Sequence, residues 1–137
     1  MNEQLRAIAD LDRVIHEPGR MMVVSLLAVV EECDFLYLMR ETALNKGNLS
    51  SHLAKLEEAG YVEIRKTYRG KVPQTLLRLT SAGRTAFGAY RKNLNAALVE
   101  QLQGALEQTE SMAEKSKLKR RKEKSPPTFL KRALENG

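Results

Sequence analysis

At 137 residues the chain is long enough for one domain with a modest core plus appendages, and its 42% hydrophobic and 29% charged content is that of an ordinary globular protein. The longest apolar run, Met21 to Val30, is interrupted by Ser25 and too short to cross a bilayer. No basic-then-apolar leader opens the chain, and the single Cys33 excludes an internal disulfide framework, so a cytoplasmic protein is expected.

In chain order, Asn2 to Ile15 carries Leu5, Ile8, Ala9, Val14 and Ile15 at loosely helical spacing, which predicts a short amphipathic helix ending before the HEPGR turn at residues 16–20. Pro18 suits a first helical position, so a second helix is predicted over Pro18–Glu32. It is apolar on nearly every side and should be covered on most faces. Asp34 is placed to cap a helix over Phe35–Thr42, and Asn45 to cap another by accepting from the backbone N–H of Gly47 or Asn48. There Leu49, Leu53 and Leu56 recur at steps of four and three, on one face, and Gly60 stands where a left-handed C-terminal residue favours glycine. The period then changes to two. Val62 and Ile64 alternate with Glu63 and Arg65, Tyr68 to Pro73 is turn chemistry, and Thr75 to Leu79 returns as a second strand. Thr80 caps a long helix predicted to reach about residue 110, with an apolar stripe through Tyr90, Leu94, Leu98, Leu102 and Leu106. Beyond it the basic run KSKLKRRKEK, residues 115–124, precedes a Ser-Pro-Pro stop. Phe129, Leu130, Ala133 and Leu134 allow a short terminal turn.

Charge is distributed unevenly along these elements. The excess of +6 resides in residues 112–137, nine Lys or Arg against three Glu, while the remainder holds 14 of each sign. Within that neutral remainder, Asp and Glu are absent from residues 64–99. A sign-segregated stretch inside a folded region is the footprint expected of a polyanion-binding surface, although a solvated face would read the same way.

The order helix, helix, tight turn, helix, hairpin, long helix is that of a winged helix-turn-helix, mainly α with a small β-hairpin and a long C-terminal dimerisation helix. Residues 16–90, above all LSSHLAKLEEAGYVE and LTSAGR, resemble winged-helix transcriptional regulators of the MarR/ArsR type. They are closest to the compact subgroup with an extended C-terminal helix for dimerisation. The resemblance implies residues 1–110 as a DNA-binding and dimerisation domain, with residues 111–137 a basic tail outside it. It also implies a homodimer reading a pseudo-palindromic operator in double-stranded DNA, recognition helix 45–59 in the major groove and wing 61–79 on the flanking backbone or minor groove. Relatives of this type often bind small aromatic molecules, so an unidentified small-molecule effector belongs among the expected partners.

The residues agree with that expectation. With three leucines turned inward, the recognition helix presents Asn45, Lys46, Gly47, Asn48, Ser50 and Ser51, with Lys55 a turn later. Asn48 suits bidentate pairing with adenine, Lys46 suits guanine or a phosphate, and the serines suit either. His52 has two readings, a donor to phosphate or a packing residue against the wing. The wing adds Arg65, Lys66, Arg69 and Lys71, the last two flanking Gly70 at the tip. Arg84 either reaches a phosphate or braces the wing. The stripe over Tyr90, Leu94, Ala97, Leu98 and Leu102, helped by Leu5 and Ile8, is read as the dimer contact, because the chain has few other elements to cover it; an intramolecular core is the competing reading.

His16, His52 and Cys33 make neither a nucleophile–base pair nor a spacing typical of metal ligation, so neither an enzyme nor a metal or cofactor site is expected. The competing function is a winged helix that mediates protein assembly, with only the basic tail touching nucleic acid.

Overall fold

The computed structural model describes residues 2–123. The terminal turn expected over residues 128–137 and Lys124 lie outside the described residues. The elements are α1 (Glu3–Ala9), α2 (Pro18–Val29), β1 (Cys33–Asp34), α3 (Phe35–Thr42), α4 (Lys46–Glu58), β2 (Val62–Arg69), β3 (Val72–Leu79) and α5 (Ser81–Glu123). The chain divides into two compact units, the first ending at Ala97 and the second beginning at Leu98.

In the first unit, α1 stops earlier than its apolar spacing predicts. The Asp12 carboxylate accepts the backbone N–H groups of Val14 (2.9 Å) and Ile15 (3.2 Å), a local turn that competes with the helix and carries Leu11 and Ile15 into the interior. Helix α2 starts at Pro18, as expected, under a Glu17 cap that accepts the Arg20 N–H at 2.8 Å. It ends at Val29, three residues short of the prediction, because Val30 is extended and leads into β1. Val23, Val24 and Leu27 are fully buried, but Met22 and Val29 are exposed on the opposite side. The expectation that α2 is covered on most faces therefore fails on this side, where Pro18, Met21, Met22, Leu26 and Val29 line an open apolar depression of about 680 Å³.

Asp34 caps α3 by accepting the Tyr37 N–H at 2.7 Å. The turn after α3 places Ala43 in the left-handed region (φ 57°), and Asn45 Oδ1 then accepts the Asn48 N–H at 2.8 Å to start α4. Leu49, Leu53 and Leu56 are buried against the core formed by α2, Leu38 of α3, and Val62, Leu77 and Leu79 of the sheet. Gly60 closes α4 with φ +79°.

The sheet is antiparallel in the order β1-β3-β2. Its hairpin pairs Arg69 with Val72 across a two-residue turn in which Gly70 has φ +64°, tighter than the six-residue turn predicted. Pro73 lies within β3, beyond the Leu76–Leu77 segment that pairs with β1, so its missing N–H leaves no gap on that side of the sheet. Sequence periodicity did not reveal β1, which is only two residues long.

Thr80 caps α5 by accepting the Gly83 N–H at 2.9 Å, and its own hydroxyl donates to the Gly60 carbonyl at 2.6 Å. This helix continues past residue 110 to Glu123, so the first eight residues of the basic run, 115–122, are helical. Among the described residues, no helix is long and apolar enough to cross a membrane.

Candidate nucleic-acid interface

Asn45, Lys46, Asn48, Ser50, Ser51 and Lys55 are all exposed on α4, opposite its buried leucines. With about 100° between successive residues, Gly47 and Ser51 lie farthest from the core, Lys46 and Ser50 turn toward the hairpin, and Asn48 and Lys55 turn the other way. Lys46 and Ser50 of α4, Lys66 of β2 and Thr75 of β3 line one groove of about 310 Å³, floored by Phe35, Leu53 and Ile64. Helix and wing thus present two ammonium groups and two hydroxyls to a common space lined by no carboxylate.

Strand register sorts the wing residues. Val62, Ile64, Lys66 and Tyr68 share one face with their partners Leu79, Leu77, Thr75 and Pro73, and this is the face that packs on α4. Arg65 and Arg69 lie on the other face. Arg65 is paired there with Glu32 at 2.9 Å, and its neighbour Arg78 with Glu63 at 2.7 Å. Lys71 is exposed in the tip turn beside Arg69. Sequence reading missed Thr75, yet its parity with Leu77 and Leu79 was present in the period of two.

His52 is turned neither outward nor to the wing. Its Nδ1 lies 3.4 Å from Glu17 Oε2 and 3.3 Å from Arg20 Nη1, at the start of α2. Arg20 also donates through Nε to the Val14 carbonyl, tying α4, α2 and the preceding turn together. Beside this network Arg13, Arg20 and Lys55 line a cleft of about 470 Å³ on the flank of α4 away from the wing; Arg13 and Arg20 were also missed. The Glu17 carboxyl lies below its ordinary value: burial opposes ionisation, but the Arg20 and Gly19 N–H groups and the charges of His52 and Arg20 outweigh it. Arg84 reaches the Ala28 carbonyl at 3.5 Å and so braces α5 against the last turn of α2.

The apolar stripe of α5 divides. Tyr90 is 2% exposed in a second core with Leu11 and Ile15, its hydroxyl 2.7 Å from His16 Nδ1 and 3.2 Å from Met21 Sδ. Leu94 packs against the same cluster and Ala97 is buried. In the second unit Leu98, Leu102 and Leu106 are 48%, 61% and 60% exposed.

Among the described residues, no group of three or more His, Cys, Asp or Glu is placed to hold a metal ion. Cys33 is buried, and burial together with the Asp34 and Glu32 charges pushes its thiol up to about 11, away from nucleophilic character.

A buried-leucine helix after a tight turn, joined to an antiparallel wing, defines a winged-helix DNA-binding protein. The family described as "Winged helix DNA-binding domain" matches residues 20–98, and the chain belongs to it. It is 39% identical over 79 residues to the uncharacterized protein MJ0432 of Methanocaldococcus jannaschii, across 57% of this chain and 85% of that one. The structure of a transcriptional regulator homologue from Pyrococcus horikoshii OT3 superposes with a TM-score of 0.66 and 25% identity, covering 74% of this chain and 98% of that one. A MarR-family regulator from Silicibacter pomeroyi shares the fold with a TM-score of 0.52 at 18% identity, covering 84% of this chain and 78% of that one.

Proposed function

We propose that this chain is a homodimeric, sequence-specific regulator of transcription that acts by binding double-stranded DNA in the cytoplasm, not by catalysis. In this reading α4 enters the major groove, with Asn48, Ser50 and Ser51 at base edges and Lys46 and Lys55 at bases or phosphates, while the wing lies along the flanking backbone or minor groove. The observation that carries it is the shared groove of Lys46, Ser50, Lys66 and Thr75, which joins the N-terminal face of α4 to the wing. The geometry favours Lys66, Arg69 and Lys71 over Arg65 as wing contacts, because Arg65 already has a carboxylate partner. His52 and Arg84 then act by holding α4 and α5 in place.

Dimerisation in this reading uses the exposed Leu98, Leu102 and Leu106, with Tyr90, Leu94 and Ala97 supporting from within the chain. The functional boundary is placed near residue 110, between a DNA-binding and dimerisation domain and a basic extension.

Selection of bound sequences from a random duplex pool tests the central claim and reports half-site spacing. The expected result is an enriched pseudo-palindrome whose preference is lost in the N48A/S51A variant. No enrichment, or enrichment unaffected by those substitutions, overturns it. For the dimer, sedimentation of the L98D/L102D variant should halve the mass measured for the parent chain.

A further inference from the structure

We propose that the C-terminal turns of α5, residues 115–122, form a second contact surface for duplex DNA that grips phosphates without regard to sequence. Those eight residues contain six Lys or Arg and no acid, and all are helical and exposed. At about 100° per residue, Lys115, Lys119 and Lys122 share one face, Lys117 and Arg121 lie opposite, and Arg120 falls between. The helix is therefore positive all round. It follows a stretch, residues 93–114, with four Glu and no Lys or Arg.

Helix stability does not account for this run. A favourable charge at a helix C-terminus explains Arg120 to Lys122, but not Lys115 and Lys117 more than a turn from the end. Side-chain pairing explains only part of it: Glu114 lies three positions before Lys117, and Glu123 three after Arg120 and four after Lys119, but no carboxylate stands three or four positions from Lys115, Arg121 or Lys122. Lys115 and Lys119, and Lys117 and Arg121, are also like charges four residues apart, an arrangement that by itself opposes the helix.

The same residues define the partner. Leu118 is the lone apolar side chain of residues 115–122, so there is no apolar face for a membrane surface or a partner helix. Residues 115–122 contain no aromatic side chain to stack on unpaired bases. A line of duplex phosphates needs neither, and its dense charge suits cations projecting in several directions. The proposal rests on the reading that the winged helix binds duplex DNA, and adds a surface separate from α4 and the wing. Six of the nine cations in residues 112–137, which hold the chain's entire net charge, stand on it.

The test measures binding of the full chain to a labelled random-sequence duplex of about 30 base pairs between about 50 and 200 mM KCl, where each lost phosphate contact lowers the salt slope by about 0.9. In the K115Q/K117Q/R120Q/R121Q/K122Q variant the slope should fall by at least about 2 and affinity by at least about tenfold, with helicity unchanged by circular dichroism. Should that variant lose helicity, K115Q/K117Q serves instead, and its slope should fall by at least about 1. An unchanged slope overturns the proposal. So does a surface that prefers single-stranded RNA or anionic phosphatidylserine vesicles over duplex DNA and loses that preference on the same substitutions. The N48A/S51A variant separates the two readings. In it, retained selectivity for an enriched sequence counts against the role of α4, not against this surface.

Discussion

Gly19, in the first turn of α2, lies directly against the imidazole of His52 on α4: a β-carbon at position 19 would sit 2.7 Å from His52 Cδ2 and closer still to Nε2. The imidazole cannot easily swing away, because Arg20 and Glu17 hold its Nδ1. Gly19→Ala should therefore lower stability by about 1–3 kcal/mol. Adding His52→Ala removes the obstacle, so the double variant should be more stable than the sum of the single changes predicts. Denaturant unfolding of the four proteins in the cycle measures the coupling; strictly additive effects would show that the two positions do not meet.

Two glycines of α5 should respond in opposite directions. A β-carbon on Gly83 would fall 2.9 Å from the Tyr61 carbonyl carbon and nearer to its oxygen, which also accepts the Thr80 N–H. Backbone meets backbone there, with no flexible side chain to yield, so Gly83→Ala should cost at least about 2 kcal/mol. Gly88 has open space around it, and Gly88→Ala should stabilise by roughly 0.5–1 kcal/mol through helix propensity alone. Thermal unfolding of both variants checks the contrast. Equal shifts of the same sign would contradict it.

Glu17 gives the first unit a pH-dependent contribution of known sign. Its carboxyl is depressed below the ordinary value of 4.5, so its stabilisation is complete above that pH and is lost as pH falls through the lowered folded value. Glu17→Gln keeps an acceptor for the Arg20 N–H but removes the charge. The variant should be less stable than the parent at pH 7, and the gap should narrow steadily below pH 4.5. Unfolding curves collected across that range decide the matter, since a gap of constant size would assign the effect to packing.

On the wing, Lys66 and Arg65 are adjacent in sequence but lie on opposite faces of the sheet. Lys66 shares the groove with Lys46 and Ser50, whereas Arg65 is paired with Glu32. If the groove meets DNA, Lys66→Gln should weaken binding to an enriched duplex and reduce its salt slope by about 0.9, with Arg65→Gln nearly silent. The reverse order of effects would place the contact on the other face.

These contrasts also show where the sequence was readable. The Asn45 cap, the three leucines, Gly60 and the change to a period of two all depend on neighbours within four residues, and each is found as expected. Long-range partners leave no such mark. Nothing local to His52 distinguishes a phosphate donor from a side chain held by Glu17 and Arg20, more than thirty positions away. Nothing local to Tyr90 announces that it will meet His16 and Met21 inside the chain. The two-residue β1 is too short for any periodicity, and α1 ends through a side-chain turn at Asp12 that its apolar spacing does not encode. In the candidate interface, the outward face of α4 was legible, whereas the partners of His52, Arg65 and Arg84 were not.

Asp34 carries one further consequence. Its carboxylate starts α3 and also accepts from Gln74 Nε2 at 3.3 Å, while its backbone pairs with Leu76 of β3. One residue thus clamps the opening of the helix-turn-helix to the stem of the wing. If both elements contact a duplex, as proposed above, this clamp fixes the span between them. A binding site with one base pair inserted between the helix contact and the wing contact should therefore be read by one of them at a time.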